Sequence, residues 1–343
     1  MKALVLETYN HFEFKDVEQP VPAADEVLVK VAAVGICGSD VHGMDGSTGR
    51  RQPPVIMGHE ASGEIVALGS AVTDWFLGDR VTFDSTIYKL DDWFTRRGMY
   101  NLSDNRVVLG VSCDDYRRHG AFAEYVVVPK HILYRLPEQL SYTQAAMAEP
   151  VAVALHAVSL GQPRIHDSAV VVGAGMIGLF VIQLLKVAGC NSIIAIDRDD
   201  NKLQLAAKLG ATHCFQSTSP ELEEAILDLT DGRGADQAYE AVGISETVQR
   251  AIGSVRKGGT VTLLGNLAAE IDFPLQLVVT RQIKVQGSCA ICGEYPAVLE
   301  LIASGKVNVD ALISAEAPLA EGAAWFKRLY QQEEGLVKVI LKP

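Results

Sequence analysis

The run A-V-V-V at residues 169–172 leads directly into G-A-G-M-I-G at 173–178, and a stretch of helical length follows to residue 188. Three glycines at this spacing, after a strand and at the opening of a helix, mark a dinucleotide-binding turn. Gly173 is assigned the tight turn, Gly175 the close approach of backbone to pyrophosphate, and Gly178 the contact of helix on strand. Met176 and Ile177 complete the turn at the helix N-terminus, where free N–H groups and the dipole favour an anion. Asp197 ends the next predicted strand, 192–197. A carboxylate there takes the ribose hydroxyls of NAD and repels the extra phosphate of NADP. Arg198 follows and could serve that phosphate instead, while Lys202 reaches either the ribose or solvent. NAD is the expected cofactor.

The alternation continues with a helix at 201–209 and strands at 235–240, 259–265 and 284–287. Strands separated by helices predict an α/β, doubly wound parallel sheet over residues 151–289. Val242 and Gly265, beside two of the strand ends, and Cys289 complete the expected cofactor-binding set. The first 150 residues differ. Short β-branched runs at 26–33, 64–68, 80–83 and 123–128, punctuated by Gly, Pro and Asp, predict a small β-rich barrel with long loops. After residue 289 come a predicted helix, 295–304, and a last strand, 337–342, which needs a neighbour. Residues 290–343 are therefore expected to complete the first domain.

The 343 residues suit two domains. A net charge of −12 argues against a nucleic-acid or anionic-membrane partner. Residues 168–185 carry no charge and are long enough to span a bilayer, but the glycine fingerprint assigns them to a buried strand and helix. The start M-K-A-L-V-L-E is too short in apolar residues for a signal core. A cytoplasmic location is expected, with the six cysteines (37, 113, 190, 214, 289 and 292) reduced.

A second constellation carries chemistry. Cys37 lies in G-I-C-G-S-D-V-H (35–42), His59 and Glu60 in G-H-E-A-S-G-E-I-V-A-L-G (58–69), and Glu149 in A-E-P (148–150). Singly, a cysteine is usually a small core residue, and a histidine or glutamate an ordinary polar group. Together, thiolate, imidazole and carboxylate form a donor set that Zn²⁺ accepts with one position open. A Lewis acid and a hydride carrier in one chain point to alcohol–carbonyl redox chemistry on a small molecule.

These stretches resemble the zinc signature and first ligand segment of the zinc-dependent medium-chain dehydrogenases, and the resemblance runs from M-K-A-L to K-V-I-L-K-P. It implies a GroES-like catalytic barrel (1–150, completed by 290–343) and a Rossmann domain (151–289). It implies Cys37 and His59 as zinc ligands and, as in the sorbitol, threonine and polyol branch, either Glu60 as a direct ligand with Glu149 holding the zinc-bound water or the two glutamates exchanging. Asp40 resembles the carboxylate that orients the ligand imidazole. Ser39 and His42 resemble a proton relay running from the substrate hydroxyl through the cofactor ribose to solvent. The implied reaction is reversible, NAD-linked oxidation of a secondary alcohol of a polyol or sugar, in a homo-oligomer whose strand near 260–265 or 284–287 pairs across a two-fold axis.

The chain departs from the family at three places. A second, structural zinc needs four cysteines where Lys89, Asp92, Thr95 and Ser103 stand, so one zinc per subunit is expected. Trp93, Phe94 and Tyr100 are expected to hold that lobe by packing. Gly43 and Ala290 replace larger residues of the polyol enzymes and predict a roomier pocket. Cys289 and Cys292 are expected to line the nicotinamide side. Two other readings are a zinc-free quinone or enone reductase on the same fold, against which Cys37 and His59 count, and a non-catalytic dinucleotide sensor, against which the Ser39–His42 pair counts.

Overall fold

A computed structural model describes residues 1–112 and 117–343 of the chain; Cys113 lies outside the described residues. The chain is α/β and divides into two compact units. One comprises Met1–Glu149, Ile291–Ser304 and Val309–Pro343, and the other Pro150–Ala290 and Gly305–Asn308.

The first unit is a GroES-like β structure built around the strand Glu26–Gly35. Its sequence E-V-L-V-K-V-A-A-V-G is apolar at nearly every position because side chains on both of its faces are buried. Glu60–Leu68 pairs antiparallel along one edge. The other edge is shared, with Tyr125–Pro129 beside its first half and Lys338–Lys342 beside its end. Strand pairing is close enough at Gly63 that an added Cβ would stand 2.1 Å from the Lys30 carbonyl oxygen. The closing strand K-V-I-L-K thus reaches its neighbour in this unit, opposite Val34 and Gly35. A hairpin, Lys2–Thr8 with His11–Asp16, adds a further layer and buries Leu4 and Leu6.

The lobe at residues 84–103 is held by polar and aromatic contacts. Tyr100 donates its hydroxyl to Asp84 Oδ2 at 2.7 Å, accepts from the Gly293 amide at 2.8 Å, and stacks on Tyr88 with ring centroids 4.3 Å apart. Asp92 Oδ1 accepts from the amides of Phe94 and Thr95. Trp93 and Phe94, expected to pack the lobe, meet edge-on with ring centroids 4.9 Å apart, and the largely exposed Trp93 also lies under the Arg97 guanidinium. Cys292, expected on the nicotinamide side, also belongs here, with its Sγ 2.9 Å from the Gly98 carbonyl.

The second unit is a Rossmann-type sheet of six parallel strands in the order His213–Gln216, Ser192–Asp197, Ser168–Val172, Ala235–Glu240, Val255–Leu263, Lys284–Gly287. The central strand Ser168–Val172 is covered on both faces, which explains its unbroken apolar run. The uncharged segment resolves into this strand, the glycine turn and the helix Met176–Val187. Among the described residues no helix is long and apolar enough to cross a membrane. Gly305–Asn308 joins this unit rather than the first. Gln183, buried on the helix, donates to the Asn308 carbonyl and accepts from its amide at 2.7 Å.

Asp84 gives a test of the lobe. Burial raises its pKa from 3.8 to about 6, against the opposing hydrogen bonds from Thr86 and Tyr100. The folded protein therefore holds more protons than the unfolded chain between about pH 4 and about pH 6, so stability falls as pH rises through that window. Asp84→Asn should remove that loss, on the order of 2–3 kcal/mol at most. Denaturant melts of both proteins at about pH 4 and about pH 7 check it: the pH dependence should be flatter in the variant.

Candidate metal centre

Cys37 caps the short helix Gly38–Gly43, and Asp40 Oδ2 accepts from the Cys37 amide at 3.4 Å. The next segment of the site comes from the strand Glu60–Leu68, where register sets Glu60 opposite Gly35, two residues before Cys37. The Cys37 sulfur, a His59 ring nitrogen and a Glu60 carboxylate oxygen all lie within 4.8 Å of one another. Among the described residues this is the one group of three such side chains at metal-binding distance.

Two buried ion pairs flank the trio. Arg51 Nη2 donates to Asp40 Oδ1 at 2.7 Å, and both side chains are closed to solvent. The same Asp40 oxygen stands 3.5 Å from His59 Nδ1, which leaves Nε2 to a metal. On the other side Lys338, fully buried, holds Glu60 Oε2 and donates to the Ile36 carbonyl at 2.9 Å.

Charge is arranged to suit a cation. Burial alone would raise Asp40, but the charges of His59 and Arg51 outweigh it and hold the carboxyl well below its usual range. Burial likewise works against a charged His59, yet the charges of Asp40 and Cys37 raise its pKa well above the ordinary value. The surroundings thus favour positive charge at the imidazole, which a divalent ion would supply. Glu149, in the first turn of the helix Ala148–Gly161, is outside the tight trio but close enough to interact electrostatically with it. Burial and the charge of Glu60 push its pKa up to about 8, against His59 and Lys338. His59 Nδ1 and Glu60 Oε1 are buried without a hydrogen-bond partner. An orphaned carboxylate oxygen beside a thiol and an imidazole fits Zn²⁺.

Ser39 and His42 are exposed on the same short helix, one turn apart. Ser39 Oγ donates to Cys37 Sγ at 3.3 Å and receives Arg51 Nη2 at 3.4 Å. Gly43 does not open a pocket as expected. A Cβ there would stand 2.7 Å from Arg51 Cγ, so the missing side chain makes room for the arginine stem. Ala290 takes a left-handed backbone conformation, φ 54°.

In the second unit the predicted cofactor residues collect at the C-terminal ends of the parallel strands. Gly173 has φ 97°, and a Cβ on it would meet Val242 Cγ2 at 2.6 Å. Gly175 caps the helix Met176–Val187 and faces open space, as a phosphate cradle requires. Asp197 Oδ2 accepts from the Ala174 amide at 2.7 Å, tying the strand end to the glycine turn. Gly265 lies against the Val242 backbone, where a Cβ would come within 2.2 Å. Arg198 is exposed, and Lys202 and Cys289 are partly buried.

Comparison with known proteins agrees with this layout. The alcohol dehydrogenase GroES-like domain model matches residues 23–138, and the zinc-binding dehydrogenase model matches residues 177–304. Sorbitol dehydrogenase of Bacillus subtilis is 33% identical, with 100% of this chain and 97% of that protein covered. D-arabitol-phosphate dehydrogenase of Enterococcus avium is 32% identical over 97% of this chain and 94% of its own length. The chain belongs to the zinc-binding dehydrogenases of the medium-chain superfamily. A zinc-binding dehydrogenase of Sinorhizobium meliloti, solved with NADP, superposes with a TM-score of 0.92 at 32% identity, covering 100% of this chain and 99% of that one.

Two side chains of this dehydrogenase's centre, Arg51 and Lys338, escaped the sequence reading. Neither stands in a ligand motif, and a buried cation has no local signature. The glycine turn yields a direct test. An added Cβ at Gly178 would stand 1.8 Å from the Gly173 carbonyl oxygen, so Gly178→Ala must shift the glycine turn. Fluorescence titration with reduced cofactor should show affinity lowered roughly tenfold or more, with a cost of about 1–3 kcal/mol in stability.

Proposed function

We propose that this zinc-binding dehydrogenase is a polyol dehydrogenase that oxidises a secondary hydroxyl of a polyol or sugar to the ketone, reversibly, with NAD as acceptor. The observation that carries the reading is the Cys37–His59–Glu60 trio, with ligand atoms within 4.8 Å and one glutamate oxygen unpartnered. The polyol substrates named for its relatives support the substrate class. Cys37, His59 and Glu60 would hold one zinc per subunit, with Glu149 poised to exchange with Glu60. When bound, the ion supplies Lewis acidity to the hydroxyl and the nicotinamide accepts the hydride.

The remaining work falls to side chains of the chain itself. Asp40 fixes the His59 ring by standing at Nδ1. Ser39, exposed beside Cys37, takes the hydroxyl proton, and His42, one turn on, delivers it to solvent. Asp197, at its strand end, favours the ribose hydroxyls of NAD over the phosphate of NADP. The absence of cysteine at Lys89, Asp92, Thr95 and Ser103 supports a lobe that relies on Tyr100 and Asp84 rather than on a second zinc. A homo-oligomer in the cytoplasm completes the reading.

The test is a screen of sugars, sugar alcohols and their phosphates with NAD and with NADP, following reduced-cofactor absorbance with and without a chelator. Chelator-sensitive turnover of a polyol, faster with NAD, is expected. Turnover of enones but not alcohols, unaffected by the chelator, would refute the proposal. Ser39→Ala should lower kcat by about 10²-fold or more while zinc content, measured by atomic absorption, stays unchanged.

A further inference from the structure

Lys338 is the first residue of the closing strand Lys338–Lys342, which lies antiparallel to Glu26–Gly35 with Ile340 opposite Gly35. On the other edge of that strand Gly35 pairs with Glu60. Gly35 therefore stands between the two. A Cβ there would come 2.5 Å from Glu60 Oε2 and 3.5 Å from Lys338 Nζ. Its missing side chain is the gap through which ammonium and carboxylate meet, at a spot where both are closed to solvent.

The pair leaves the carboxylate divided. Oε2 is bound to the ammonium, while Oε1 is buried and unpartnered. A carboxylate needed only as a metal ligand has no use for a fixed ammonium, since two cations then contend for one anion. In a low-dielectric interior that contention is strong.

We propose that Lys338 is a positioning residue that competes with the metal for Glu60, holding that carboxylate in place before the ion arrives and loosening its grip on the ion afterwards. The inference rests on the reading of Cys37, His59 and Glu60 as the zinc site. It gives the exchange between Glu60 and Glu149 a physical basis: a ligand shared with an ammonium leaves the ion more readily than one that is not. Gly35 is part of the same device, because any side chain there would part the pair.

A thermodynamic cycle separates competition from simple structural support. If Lys338 competes, removing it destabilises the metal-free protein, where Glu60 loses its counter-charge, more than the loaded protein, where the ion replaces it. Metal must then bind more tightly. Zinc affinity is measured at one fixed pH by competition with a chromophoric chelator, and Co²⁺ replaces zinc for a visible spectrum that reports ligand geometry. For Lys338→Met the zinc dissociation constant should fall roughly tenfold or more. Its melting point should drop without metal and largely recover with it, and the Co²⁺ bands should shift. Lys338→Arg should restore wild-type affinity, and in a Glu60→Gln background the Lys338→Met gain should vanish. Lys338→Gln, which keeps a donor for the Ile36 carbonyl, serves the same test where the methionine variant does not fold.

Unchanged or weaker zinc binding by a folded Lys338 variant would overturn the proposal. So would an equal loss of stability with and without zinc, or a gain that persists in the Glu60→Gln background, which would make the ammonium a bare charge rather than a competitor. A wild-type protein that takes up no zinc would instead overturn the metal site itself.

Discussion

Everything at the centre depends on two buried ion pairs, Asp40–Arg51 and Glu60–Lys338, set on either side of Cys37 and His59. Burying four charges is costly, and removing one partner of such a pair typically destabilises a protein by about 3–5 kcal/mol. Pairs of this kind are weak evidence for stability on their own. Here they set two carboxylates beside the sulfur and the imidazole, and for Asp40 the charges of His59 and Arg51 outweigh the burial that would neutralise it. Asp40 stands 3.5 Å from the imidazole, and Glu60 keeps one oxygen unspent.

Backbone register makes the pairs possible. Gly35 lies opposite both Glu60 and Ile340, so residues far apart in the chain converge at the end of one strand. The short helix that follows carries Ser39, Asp40 and His42, all within five residues of the cap at Cys37. The same economy governs the second unit. Parallel strands all end on one side, and the glycine turn, Asp197, Val242 and Gly265 collect there because each lies at, or within two residues of, a strand end.

Much of this was legible in the sequence because it is local. The glycine spacing, the strand-end aspartate and the cysteine and histidine–glutamate motifs each sit within a few residues of the structure they specify. The strands 80–83, 192–197, 235–240 and 284–287 were read with the observed bounds for the same reason. The strand His213–Gln216 was not, since H-C-F-Q at a sheet edge is half-buried throughout and shows neither alternation nor an apolar run. The opening hairpin is faint in the sequence, because in H-F-E-F-K-D only Phe12 and Phe14 mark a strand that is mostly exposed. Lys338 and Arg51 could not be read at all: a lysine or arginine is presumed exposed, and only tertiary pairing reverses that presumption. Gly43 misled for a related reason. The space that its small side chain leaves is filled by an arginine eight residues on.

The most direct measurement is zinc K-edge X-ray absorption on the purified protein, which counts the atoms around the ion without reference to turnover. One sulfur at about 2.3 Å with nitrogen or oxygen donors at about 2.0–2.2 Å is the predicted shell, and Cys37→Ser should erase the sulfur component. A shell of four sulfurs, or one with no sulfur at all, would contradict the account.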